Sequence, residues 1–212
     1  MKESEITEAP VRVKDEYSMR ESALFISPST LKRDFKYLGA VGESDDYEMW
    51  LYKTNASAVV TMPALYKKVN PPVMSNKIVV DLTLDMKSGI PVKNELQVSG
   101  VQTAQSQISR GLASSLYLAI AKAGYTVVSD YVQSTKGAEL WRKIAQLSAN
   151  DNCVVRVWSQ TSKDWLRNAN NEVLVYDASN LSDDQIWIDL ESYTDEDLAI
   201  TALLALCTSN NL

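Results

Sequence analysis

Residues 94–149 read NELQVSGVQTAQSQISRGLASSLYLAIAKAGYTVVSDYVQSTKGAELWRKIAQLSA, and their order decides the fold class. Asn94–Thr103 alternates, with Leu96, Val98 and Val101 inward, which is the period of a half-buried strand. Gly100 interrupts that alternation and predicts a β-bulge, placed at Gly100 and Val101. A polar turn, AQSQIS, leads into Ser109–Ala123, where Leu112, Leu116, Ala119, Ile120 and Ala123 form one helical stripe. Gly124 supplies the stop. Tyr125–Asp130 is a short strand of buried type. Lys136–Ala149 is a second helix, with Leu140, Trp141, Ile144 and Leu147 inward. Strand, helix, strand, helix is the order of a β-α-β crossover.

Outward from this stretch the pattern changes. Upstream, Tyr47–Thr54 and Ser57–Met62 are aromatic and β-branched runs separated by an Asn55-Ala56 turn. Lys77–Met86 alternates, with Ile78, Val80, Leu82 and Leu84 on one face. Val69–Ser75 carries two prolines and reads as a loop. Ser29–Leu38 opens after Pro28 and repeats Leu31, Phe35 and Leu38 at helical spacing, so it reads as a short helix ended by Gly39. Downstream, Cys153–Ser159, Val173–Asp177 and Ile186–Leu190 read as strands. Asp195–Thr208 reads as a helix with acidic residues in its first turn. The whole predicts an α/β chain of the α+β kind, with a mixed, mostly antiparallel central sheet flanked by helices. Residues 1–20 mix charges without a period and read as a flexible N-terminal arm. Residues 21–212 read as a single domain with an acidic C-terminal portion.

The 212 residues contain no histidine, which excludes any Ser-His-Asp or Cys-His nucleophile system and any zinc site with histidine ligands. The two cysteines, Cys153 and Cys207, cannot form a four-thiolate site, so no metal ligands are assigned and a reducing compartment is expected. No apolar run is long enough to cross a bilayer, so no membrane partner is expected and the cytoplasm is the expected location. The net charge of −6 disfavours nonspecific nucleic-acid binding. The charge is uneven. Residues 151–212 hold eleven acidic and three basic side chains, which read either as a solvated acidic face or as a surface for a cationic partner. Trp50, Trp141, Trp158, Trp165 and Trp187 read as packing or groove-lining residues.

The chemistry concentrates at the start of the first helix, Arg110-Gly111-Leu112-Ala113. Backbone N–H groups at a helix start lack internal partners and, with the helix dipole, make an anion site. Gly111 and Ala113 lack bulk, so a phosphate can approach the backbone, and Arg110 adds a charged donor fork. The same residues also read as a tight strand-to-helix turn that needs glycine.

Taken in order, the strand, the Gly-x-Ala helix start, Leu116-Tyr117, Gly124-Tyr125, the strand VVSD and the helix GAELWRKI resemble the GNAT acetyltransferase superfamily. Ile108-Ser109-Arg110-Gly111-Leu112-Ala113 falls on its signature, Gln/Arg-x-x-Gly-x-Gly/Ala. Ile108 departs from that signature, and the neighbouring Gln107 is placed to compensate. The block YTVVSDYVQSTKGAELWRKI resembles variants encoded by tailed bacteriophages. The resemblance covers residues 77–160.

It implies a GNAT-like fold and binding of acetyl-coenzyme A. The pyrophosphate is expected on Ser109, Arg110, Gly111, Leu112 and Ala113. The pantetheine arm is expected between NELQVSGVQT and YTVVSD, against Val101 and Thr103, where a bulge N–H polarises the thioester carbonyl. The implied activity is transfer of acetyl to an unidentified amine. The tyrosine that the family often uses to protonate the leaving thiolate has Trp141 as its counterpart, which has no acid chemistry. Tyr131 and Ser134 are the candidate substitutes, and Glu95 and Asp81 are candidate bases acting through water. Gly111→Glu is expected to block coenzyme A while leaving the fold intact. The other implied reading is a catalytically inactive phage protein of this fold. It would act in the host cytoplasm as an interaction module, a host-factor or defence inhibitor, or a virion component.

Overall fold

The computed structural model describes residues 11–13, 25–42, 45–66, 73–85, 89–177, 186, 188–189 and 202–209. In chain order the elements are β1 (Val11–Val13), β2 (Phe25–Ile26), α1 (Pro28–Asp34), β3 (Phe35–Val41), β4 (Tyr47–Tyr52), β5 (Ser57–Tyr66), β6 (Val73–Asp85) and β7 (Glu95–Thr103). They continue with α2 (Leu112–Lys122), β8 (Thr126–Val128), β9 (Val132–Ser134), α3 (Thr135–Ser148), β10 (Cys153–Ser159), β11 (Asp164–Trp165), β12 (Ile188–Asp189) and β13 (Ala202–Thr208). The architecture is α+β, with mostly antiparallel sheet flanked by helices. Tyr17–Val127 forms one compact unit, and Met1–Glu16 with Val128–Leu212 the other.

In the unit Tyr17–Val127 the antiparallel order is β7-β6-β5-β4-β3. β2 pairs with β6, and β8 returns beside β7 after the α2 crossover. α2 packs on β3, β4 and β5, burying Leu112, Leu116, Tyr117 and Ile120. Its buried face is wider than the predicted stripe: Leu118 and Ala121 are buried and Ala119 only half-buried. The opening helix is shorter than its spacing predicts. Ser27 caps α1 by accepting from Thr30 N at 3.1 Å, and Pro28 fills the first turn. The chain turns extended at Phe35 (φ −118°, ψ 154°), whose ring meets Tyr52 across the ladder at 5.0 Å. Phe35 and Leu38 therefore belong to β3, and Gly39 is a strand residue rather than a helix stop. Leu31 alone of that helical triplet is buried in α1, in a cluster with Trp50, Val59 and Ile78. Val73–Ser75, read as loop, is strand; Pro71 and Pro72 lie outside the described residues. Pro63 is tolerated within β5 because the ladder to β4 ends at Thr61↔Glu48, so its missing N–H faces no partner strand.

In the other unit, β10 pairs antiparallel with β13 on one side and β11 on the other. A separate parallel sheet runs β12-β1-β9. β1 lies within the stretch read as an arm; the other residues of 1–20 lie outside the described residues. α3 packs on β10, β9 and β1. Residues 202–208 are a strand where a helix was expected, and 195–201 lie outside the described residues. ALLALC is apolar at nearly every position and all six residues are buried, so no period distinguishes a buried strand from a buried helix. Val173–Asp177 contributes two isolated bridges, Arg167↔Val173 and Arg156↔Val175, rather than a strand. The strand expected at Ile186–Leu190 is reduced to β12.

Candidate functional site

The turn between β7 and α2 is two structures joined at one glycine. Gln105–Arg110 forms a 3₁₀ helix, and Gly111 then adopts the left-handed conformation (φ 72°, ψ 12°) before α2 begins at Leu112. The helix therefore starts three residues later than expected. Gly111 is its N-cap rather than a residue of its first turn. A glycine cap has no side chain to accept from the first-turn amides, and none of those amides receives a side-chain cap. The Gly111 carbonyl is heavily used: it accepts from Ser115 N at 3.1 Å, from the Ser114 hydroxyl at 2.8 Å and from the Ser115 hydroxyl at 3.2 Å. These bonds fix the carbonyl on the helix side of the joint. The buried Leu112 side chain anchors the same turn into the core, and Ala113 is half-buried beside it.

Tyr47 braces the turn from outside. The buried Tyr47 of β4 donates its hydroxyl to Gln107 Oε1 at 2.9 Å. Gln107 N bonds Ala104 O at 2.8 Å. Arg110 is exposed, with its guanidinium carbon 6.0 Å from the Tyr47 ring centroid, a cation–π distance. Ile108 is 43% exposed, so the residue that departs from the signature points away from the core. Tyr47 was not a predicted site residue. Its link to Gln107 spans sixty positions, and no local pattern encodes it.

On β7, Val101 pairs with Leu82 and Thr103 with Val80, and both are half-buried. The bulge exists, one residue before its expected place. Thr83 pairs with Gly100 and Leu84 with Val98, which leaves Ser99 as the extra residue. β8 lies beside β7, its start fixed by Thr126 N bonding Asn94 O at 3.0 Å. Glu95 opens β7 and is half-buried. It is eight residues from Thr103, roughly 26 Å along a strand, so it stands at the far end of β7 from the turn. Asp81 lies nearer the turn, on the sheet face opposite Val101 and Thr103. It pairs with Gln102 on one side and Val59 on the other, and burial raises its carboxyl above the ordinary aspartate range.

The remaining candidates lie in the other unit. Tyr131 is half-buried, its backbone N bonded to Asp130 Oδ1 at 2.7 Å, and Ser134 ends β9 paired with Val13. Trp141 is 1% exposed within α3, a packing residue. Cys153 and Cys207 are buried and not joined in a disulfide, and burial pushes the Cys207 thiol up. Among the described residues no cluster of three Cys, Asp or Glu side chains is placed to hold a metal ion. Among the same residues no helix is long and apolar enough to cross a membrane. Comparison with family models, with curated proteins and with solved structures finds no match.

Proposed function

We propose that the chain is an acyl-coenzyme-A-dependent N-acetyltransferase. The observation that carries this reading is the glycine-capped start of α2: an uncapped set of first-turn amides directly after a strand, with Arg110 exposed beside it. These groups suit a pyrophosphate. The amides of Leu112 and Ala113 would hold its oxygens, and Arg110 would add a charged fork. Val101 and Thr103 on β7 would flank the pantetheine arm, and the Ser99 bulge frees backbone of β7 from regular pairing. Bound acetyl-coenzyme A supplies an acetyl group activated as a thioester. An amine attacks such a group directly, so the missing histidine is no obstacle. Asp81 is the proposed base, since a carboxyl raised by burial suits proton uptake through water. Coenzyme A leaves as the thiolate, which takes its proton from water.

One observation favours the second reading, a non-catalytic interaction module on the same fold, of phage type. Trp141, at the position where the resemblance implies an acid, is packed in the core and offers no proton. Thermal unfolding with and without acetyl-coenzyme A separates the two. Ligand at 100 times its dissociation constant adds about 2.7 kcal/mol to stability. A saturable shift together with acetylation of a mixed amine panel supports the enzyme. Absence of any shift at millimolar ligand removes the cofactor from both readings and leaves the interaction module.

A further inference from the structure

A guanidinium lies buried and unpaired in the unit that holds β10. Arg156 is 9% exposed, and its Nε and Nη1 atoms are buried without a hydrogen-bond partner. On β10, Val154, Arg156 and Trp158 share one face. Across the ladder to β13 they oppose Cys207, Ala205 and Leu203. On the other side Arg156 bridges to Val175, and Trp158 meets Trp165 edge to face at 5.2 Å. Every one of these neighbours is apolar or a thiol, so nothing in the row balances the charge. Cys207 is the titratable group that feels it: the Arg156 charge draws its thiol down while burial pushes it up more strongly.

An arginine cannot shed its proton to escape such a site, and an uncompensated buried ion is one of the most destabilising features a fold can carry. A hydrophobic residue of similar size would serve packing better. The side chains flanking it are small or lie at the surface. Ala205, directly opposite, has the smallest side chain available to an L-residue, and Val175, on the other side, is half exposed. We infer that Arg156 is the anchor of an oxyanion site on the β10–β13 face, open past Val175, that takes a carboxylate or phosphate group by two parallel N–H bonds. The Trp158–Trp165 pair would wall the site on one side and exclude water from those bonds. This inference does not rest on the acetyltransferase reading.

The test uses the full chain with inorganic phosphate and, separately, acetate, each compared with chloride at matched ionic strength. Wild type should show a saturable rise in melting temperature with at least one of the two. Arg156→Met, which keeps the bulk and removes the charge, should lose it. Arg156→Lys keeps the charge but not the fork, and loss of one charge-assisted bond should weaken binding about tenfold or more. Phosphorus NMR line broadening of phosphate, on wild type and Arg156→Lys, reads the same difference if Arg156→Met fails to fold. No saturable effect in wild type overturns the proposal. So does an equal effect in Arg156→Met, which would place the anion elsewhere, for instance at the Gly111 turn.

Discussion

The Tyr47 hydroxyl donates to Gln107 Oε1 at 2.9 Å, so strand β4 holds the turn that precedes α2. The bond matters because a 3₁₀ segment has poor internal geometry and needs outside support. Tyr47 is buried, so its ring is fixed by the core, and it passes that rigidity to the turn through one hydrogen bond. The same ring lies under Arg110. One aromatic residue thus positions both the backbone and the cation of the proposed phosphate site.

Tyr47→Phe should therefore weaken the site more than the fold. Removing the hydroxyl leaves Gln107 without its donor, at about 1 kcal/mol, since Gln107 is only half-buried. The ring and the Arg110 contact survive. Urea midpoints would show the small stability loss, and calorimetry with coenzyme A a loss of affinity. Unchanged values of both would show that the bond does not brace the turn.

Gly111 and Ala113 respond differently to the same substitution. Gly111 has φ 72°, where an L-residue costs roughly 1–2 kcal/mol, so Gly111→Glu perturbs folding as well as any ligand. That corrects the expectation that glutamate there is harmless. Ala113→Glu is the cleaner variant, because a carboxylate in the first turn of α2 suits the dipole. Its melting temperature should equal or slightly exceed wild type while coenzyme A binding is lost. Retained binding in Ala113→Glu would remove the pyrophosphate from this turn.

Asp81 makes a prediction about pH. Burial raises its carboxyl in the folded state, so the folded protein favours the protonated acid. Its contribution is fully present below the ordinary aspartate value of about 3.9 and is lost as pH rises through the raised folded value. Asp81→Asn should then be more stable than wild type at pH 7, and the gain should vanish near pH 3. If Asp81 is the base, the same variant loses acetyl transfer across the neutral range. An Asp81→Asn variant no more stable at pH 7 than wild type would show that the carboxylate is not penalised.

What the sequence made legible follows physical period. β4, β6, β7 and β10 alternate or carry β-branched runs, and each appears close to its expected place. α3 has one clear apolar stripe and is found within one residue at each end. The glycine at the helix start was readable as chemistry, but its left-handed conformation was not, because a Gly-x-Ala string is equally compatible with a helical glycine. The Tyr47–Gln107 bond and the Arg156 environment depend on strand order, which no local window contains. The bulge was displaced by one residue, to Ser99, because a glycine relaxes the backbone without dictating which neighbour is left unpaired.

β13 is the largest departure, and Ser129 tests it. Ser129 N bonds Leu204 O at 2.8 Å, and Leu204 N bonds the Ser129 hydroxyl at 3.0 Å. Both residues are fully buried. In the strand the Leu204 amide depends on that hydroxyl. Ser129→Ala removes the acceptor and strands a buried N–H, at about 1–3 kcal/mol. Were 195–208 helical, Leu204 N would bond within its own helix and the same substitution would cost almost nothing. Denaturant unfolding of Ser129→Ala measures the loss, and amide exchange at Leu204 localises it: protection should fall there more than at Leu206. A variant as stable as wild type, with Leu204 still protected, would return this segment to the helix that its sequence suggests.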